Sequence, residues 1–484
     1  MPFPFTTPAA PVRLCARLWR SPSFATAASI GARALALFAP VPFLTGQFSD
    51  AVVALWFVFI TFQSIVAALN GTLPVVSMHM VSYARAGSSA LDGYADRHAC
   101  PEHSGPNWPL LARICRLNRK MFAGLAVVWV LLAATVGSLV ISEPAGRTDL
   151  GGEAWMAWAV FCGGAAIRVL QQGYIAYLLG FGEVASVRRL EAISWFAGGA
   201  GAVLVLWIAP NFLAAIMLLQ LPHAANIILL SRMASRLGWR TSEDRGGDAA
   251  LLRHEVLPRA WRGSVGVLAS NGAIYGSGLF FAQVGDSTEV AGYLFALSVM
   301  GIVRTLAVSP YAARMPELAR LWAKGEQEDQ NRLAADGIVL SMGWFAMLAL
   351  LVPGTLWIAN RVLTTDLLFV DASTWLVMVA ANALLCYGAL HMQYYTVTND
   401  VRWHIVDTVN GVLFISVLTL LFNGSVLAFP LSQGIALLLF YLPYARYLTM
   451  RRFAFSLAQD VPRSSPLILG TTALLGAAAH FQLY

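Results

Sequence analysis

"GGAAIRVLQQGYIAYLLG", Gly163–Gly180, places one arginine and two glutamines inside a run of apolar residues that begins near 154. A helix crosses roughly 30 Å of hydrocarbon with about 20 such residues. Read as a membrane span, the stretch carries Arg168 near its centre. A guanidinium there costs about 2.5–3.5 kcal/mol if it faces lipid. Arg168, Gln171 and Gln172 stand at i, i+3 and i+4, so they share one helix face. That face meets protein or a water-filled cavity, and the opposite one meets lipid.

The rest of the chain supports a membrane protein. Of 484 residues, 58% are hydrophobic and 12% charged, where a soluble domain has about 25% charged. Twelve apolar runs of spanning length occur, at 22–45, 51–76, 118–142, 154–180, 188–209, 212–233, 263–284, 288–312, 334–358, 372–397, 403–423 and 427–447. A thirteenth, weaker candidate at 465–483 either crosses or lies on the membrane surface. The alternating ten-residue strands of a membrane barrel are absent from the pattern. The expected fold is an all-α polytopic membrane protein with about twelve transmembrane helices.

Charge sets the orientation. With the N-terminus inside, 27 of the 32 Lys and Arg residues fall on the cytoplasmic side, and only Arg147 and Arg361 on the other. This is the positive-inside pattern. It accounts for the net charge of +7 through contact with anionic membrane lipids, with no nucleic acid needed. The Arg-rich arm 1–21 resembles a transit peptide in composition but is better read as an interfacial segment leading into the first span. Five scattered cysteines have no redox or metal spacing and are expected as free thiols. His98, Cys100 and His103 lie close together in a polar loop, but a fourth metal ligand is missing. The expected cofactor content is therefore none.

A polar segment at 234–260 separates the first six runs, 22–233, from the second six, 261–450, and a tail covers 451–484. The halves resemble each other. "GQFSDAVVALWF" (46–57) matches "GDSTEVAGYLFAL" (285–297), and "PVVSMHMVSYARAG" (74–87) matches "PELARLWAKG" (316–325). Six helices return the chain to its starting side, so the expected relation is a parallel repeat of two six-helix bundles around a central cavity.

Polar residues inside the runs mark where such a cavity would be lined. Arg33 follows Thr26 and Ser29 at helical spacing in the first run. Asn271, Tyr275 and Gln283 lie in the seventh, Arg304 in the eighth, and Gln393 in the tenth beside Asn382, His391 and Tyr395. Together with Arg168, Gln171 and Gln172, these are the candidate substrate-binding residues. His391 and His223 are read as structural, since uncharged polar groups commonly bond neighbouring helices. Glu191 and Asp407, near the cytoplasmic ends of their runs, are the candidate groups for coupling to a proton or sodium gradient. The simpler alternative is pairing with Arg188, Arg189 or Arg402. No nucleotide-binding loop or HExxH is present, so the chain is not expected to be an enzyme.

The two halves, the basic interior side, and the segments "WRGSVGVLASNGAIYGSGLFFAQVGDSTEVAGYLFAL" (261–297) and "SPYAARMPELARLWAKG" (309–325) resemble the polysaccharide (Wzx-type) flippases. These belong to the multidrug/oligosaccharidyl-lipid/polysaccharide exporter superfamily, and the resemblance covers roughly 20–450. It implies a V-shaped, twelve-helix transporter in a bacterial inner membrane. The implied substrate is polyprenyl-diphosphate-linked oligosaccharide, and the implied partners are a polysaccharide polymerase and glycosyltransferases. A diphosphate fits arginines, which supply forked donors that stay charged. A drug or metabolite exporter of the same superfamily is the alternative, as is a lipid II flippase, which usually has two further C-terminal helices. A membrane scaffold without transport activity would have no use for charges at mid-membrane.

Overall fold

The computed structural model describes residues 22–69, 73–85, 87, 105–239, 257–363, 368–398, 402–456, 461–467, 469–471 and 473. The polar-loop cluster His98, Cys100 and His103, the arm 1–21 and most of the thirteenth run, 465–483, lie outside them. The described residues are helical throughout their ordered elements, with no strand among them. Ten helices among them are long and apolar enough to cross a membrane. With Asp50–Leu69 and Leu257–Val284, each of the twelve apolar runs carries a helix. We number these spanning helices α1 (Pro22–Phe38), α2 (Asp50–Leu69), α3 (Trp108–Gly146), α4 (Gly152–Gly180), α5 (Val184–Ile208) and α6 (Phe212–Arg236). There follow α7 (Leu257–Val284), α8 (Ser287–Ala312), α9 (Gln327–Leu363), α10 (Ala372–Thr396), α11 (Trp403–Leu421) and α12 (Ala428–Phe453). The protein is an all-α polytopic membrane protein.

Local chemistry accounts for the helix boundaries. Asn211 caps α6 by accepting the Ala214 N–H, and Glu153 of α4 accepts that of Leu213 at 2.9 Å, so two orphan donors of one first turn are satisfied. Asp286 caps α8 and Asp371 caps α10. Burial alone would push the Asp371 carboxyl up, but donation from Ser373 and Thr374 outweighs it and holds the group below the usual carboxylate range. The amphipathic stretches that follow the second and eighth runs are both short helices, Leu73–Arg85 and Met315–Lys324. The latter ends on Gly325 at φ 77°, a left-handed cap open to glycine. Two five-residue π turns interrupt the spans: Ala133–Gly137 in α3 and Leu437–Tyr441 in α12.

The chain forms two compact units. The first comprises 1–43, 72–138 and 151–260, and the second 44–71, 139–150 and 261–484. Segments 44–71 and 139–150 thus group with the second unit, although they lie within the range 22–233 in sequence. In the first unit α1 packs on α5, and α6 on α4 and α5. Gly199 of α5 sits so close to α1 that a Cβ there would come within 2.5 Å of the Ala36 Cα. Small residues that let helix backbones touch are the usual means of packing in lipid, where burial of apolar surface gives no driving force. A second cluster holds Tyr177 among Leu111, Ile114, Cys115 and Leu230. The Tyr177 hydroxyl donates to the Leu237 carbonyl at 2.9 Å, which ties α4 to the end of α6. Tyr177→Phe is expected to cost about 1 kcal/mol, the net worth of one such bond, measurable as a lower thermal midpoint of the purified protein.

In the second unit, the repeat-related helices α2 and α8 pack on each other. Phe57 stacks on Phe295 at 5.2 Å, and Thr288 donates to Asp50 at 2.6 Å. Helices α7 and α11 come into backbone contact where Gly411 faces the Ala269 carbonyl. Buried Arg446 of α12 donates to the Tyr387 hydroxyl at 2.7 Å and lies 3.1 Å from His391 Nε2, with Thr449 at the other ring nitrogen. His391 is therefore a packing residue held in a polar network. Cys115, Cys162 and Cys386 are free thiols.

Candidate functional site

Within the first unit, α1, α4, α5 and α6 bring polar side chains together inside the membrane-spanning bundle. Arg168 projects from α4, half-buried, and its Nη1 donates to Gln220 Oε1 of α6. Gly164, one turn before Arg168, makes the space for this: a Cβ there would lie 2.5 Å from the same Gln220 oxygen. The next turn of α4 repeats the tie, since Gln171 Nε2 donates to the His223 carbonyl. Pro222 has no N–H to give to the preceding turn, so α6 is locally loosened at this point.

The His223 ring meets the Trp195 ring of α5 edge-on, centroids 4.3 Å apart. The other side of the cluster is Arg33 of α1, whose guanidinium lies over Trp195 at 5.7 Å. Arg33 and Arg168 thus belong to one cluster, linked through Trp195, His223 and Gln220. Each guanidinium inside a membrane bundle carries a desolvation cost that an anion bound beside it would offset. Three further polar atoms, Gln220 Nε2, His223 Nε2 and Asn226 Oδ1, are buried with no hydrogen-bond partner in the structure. They recur every third residue along α6. Each such atom costs about 1–3 kcal/mol unless water or a ligand satisfies it.

The sequence-derived candidates divide accordingly. Arg33, Arg168 and Gln171 belong to one cluster, with Gln172 half-buried one position further along α4. Glu191 lies one turn from Trp195 but is already engaged, accepting from Arg188 at 2.7 Å and Ser29 at 3.2 Å. That is the pairing alternative. Gln220 and Asn226 were missed, and His223 was read as structural only. Their signal was present as three polar residues at constant spacing beside a proline in an apolar run.

The remaining candidates lie in the second unit. Tyr275 of α7 points its hydroxyl toward Gly301 of α8, one turn before Arg304. Arg304 is half-buried in α8. Asp407 is buried in α11 with no ion pair among the described residues. Asn271 lies half-buried one turn before Tyr275. Gln393 is half-buried, and its Oε1 has no partner. Gln283 stands apart from all of these at the far end of α7. Its side chain donates to the Val140 carbonyl, while its own carbonyl accepts from Arg147 at 2.9 Å. Its hydrogen bonds thus tie the 139–150 segment to α7.

No protein-family model matches the chain, and no curated protein matches it by sequence. Its fold does match solved transporters. The lipid II flippase MurJ in an inward closed conformation superposes with a TM-score of 0.65 at 9% identity, covering 94% of this chain and 97% of that one. The MATE multidrug transporter DinF-BH gives 0.63 at 14% identity, covering 91% and 96%. An inward-facing multidrug resistance MATE family transporter of the MOP superfamily gives 0.62 at 12% identity, covering 86% and 94%. The chain thus has the MATE- and MurJ-like transporter fold.

Proposed function

We propose that this protein is a flippase that moves polyprenyl-diphosphate-linked oligosaccharide across a bacterial inner membrane by alternating access, for surface polysaccharide synthesis. The fold is shared by drug exporters and a lipid flippase, so the chemistry of the site has to decide between them. The observation that carries the reading is a pair of guanidiniums in one polar cluster inside the span: Arg168 bonds Gln220, and Arg33 lies over Trp195, whose ring packs on His223. A diphosphate brings the negative charge that such a pair takes in bidentate geometry. The unsatisfied groups of Gln220, His223 and Asn226 suit sugar hydroxyls, which both donate and accept. A cationic drug would be repelled by the same pair.

The test is the lipid extract of a deletion strain, analysed by mass spectrometry, with a control strain blocked in polymer initiation. Accumulation of polyprenyl-diphosphate oligosaccharide, inaccessible to a glycosidase added outside, is the expected result. Unchanged intermediates with normal surface polymer would sink the proposal.

Coupling is assigned to Asp407, because Glu191 is already paired and Asp407 is not. Asp407→Asn is expected to lower gradient-driven transport at least tenfold in proteoliposomes, while Glu191→Gln keeps more than half. The reverse ranking would move the coupling group to the first unit.

A further inference from the structure

A second basic site lies in the second unit, apart from the Arg33 and Arg168 cluster of the first. A cavity of about 390 Å³ opens where the end of α10, the start of α11 and the last turns of α12 meet. It is lined by Arg402, Arg451 and Arg452, together with Tyr395, Thr398, Tyr447 and Leu448. Among the described residues, the lining has three guanidiniums and no carboxylate. Two of them are held in place: Arg451 donates to the Tyr447 hydroxyl at 2.8 Å, and Arg452 lies over the Trp322 ring at 5.1 Å.

The charge pattern assigns this end of the helices to the cytoplasmic face, where anionic lipids concentrate. Half-exposed Tyr447 and the Trp322 ring beside Arg452 are the amphipathic aromatics that favour the headgroup region. Buried Leu448 and the buried Tyr395 ring line the cavity beside the arginines. Arginines next to an apolar wall fit a phosphate joined to hydrocarbon better than a free anion.

We propose that this cavity binds the phosphate headgroup of an anionic membrane phospholipid, with the arginines on the phosphate and the first chain carbons over Leu448. The lipid would brace α10, α11 and α12 at their common end. This does not depend on which substrate the first unit carries.

The experiment is native mass spectrometry of the full-length protein in detergent, titrated with phosphatidylglycerol or phosphatidylcholine. Wild type is expected to prefer phosphatidylglycerol on the order of tenfold. The double variant Arg451→Gln/Arg452→Gln is expected to approach parity, since each arginine near an anionic surface contributes about a factor of five. Both side chains are exposed, so the variant should fold, and Arg402→Gln alone gives an independent reading. Arg119→Gln/Lys120→Gln removes the same charge from the exposed start of α3 and is expected to keep the preference. Equal binding of the two lipids by wild type, or equal losses in both double variants, overturns the proposal. So does inorganic pyrophosphate binding without lipid as tightly as phosphatidylglycerol, which would make the ligand a soluble anion.

Discussion

Replacing Arg168 with alanine is expected to lower translocation of the proposed lipid-linked oligosaccharide roughly 10–100-fold, without lowering the protein's thermal midpoint. The first half follows from the loss of charge-assisted hydrogen bonds to a diphosphate, worth about 1.5–3 kcal/mol each. The second half follows from the site itself. Arg168 is half-buried and bonded to Gln220 Oε1. Its removal leaves that oxygen unpartnered beside the already unpartnered Nε2, a cost of about 1–3 kcal/mol. It also removes a guanidinium from within the span, a gain of about 2.5–3.5 kcal/mol that offsets it. An arginine kept only for packing would behave in the opposite way, with stability falling and transport intact. Arg168→Lys separates charge from geometry, since it retains the cation but loses the planar fork. Intermediate transport is expected from it. Proteoliposome flipping and thermal melting of the same preparations supply both readings.

Gly199→Val should have the largest effect on stability. Its added Cβ would lie 2.5 Å from the Ala36 Cα and 2.8 Å from the Ala36 Cβ. Neither is the end of a flexible side chain, so α1 and α5 have to move apart. Overpacking of this kind costs about 1–3 kcal/mol, and more when backbone must shift. The displacement also reaches the site, because Ala36 follows Arg33 by one turn and Gly199 follows Trp195 by one turn. The same change therefore separates Arg33 from Trp195. Loss of folded protein on a sizing column, or a melting midpoint lower by several degrees with reduced transport, is the expected outcome. Gly276→Ala, where nothing lies within 4 Å of the new methyl, is the matched control.

Much of this architecture was legible because lipid imposes a simple rule: about 20 apolar residues for every crossing. All twelve runs carry helices, and even the short amphipathic stretches after the second and eighth runs are helices in the structure. The cluster around Arg168 was half legible. Charged residues in an apolar run stand out, so Arg33 and Arg168 were found. Gln220 and Asn226 were not, since neutral polar residues are common in spans and nothing in a single helix shows which neighbour they face. Gln283 was grouped with the cavity-lining candidates as a polar residue further along the seventh run, and its hydrogen bonds are made to the 139–150 segment. That segment is distant in sequence, and no periodicity reports it. Arg446 lies just inside the end of the last run, 427–447, and nothing in the sequence distinguishes it from a snorkelling interfacial arginine. It is buried at 6% exposure, on a helix that continues to Phe453.

The π turn at Leu437–Tyr441 explains why Arg446 is difficult to place by counting. A π turn closes its hydrogen bond over five residues and holds one more residue than an α turn. One residue corresponds to about 100° around a helix. Every position after Tyr441 is thus out of phase with the α-helical register that begins at Ala428. Alignment with a chain that lacks this π turn takes a one-residue gap between 437 and 441. Without it, Arg446 and Thr449 are matched to positions about 100° round the helix from His391, and a shared buried arginine would be recorded as a difference.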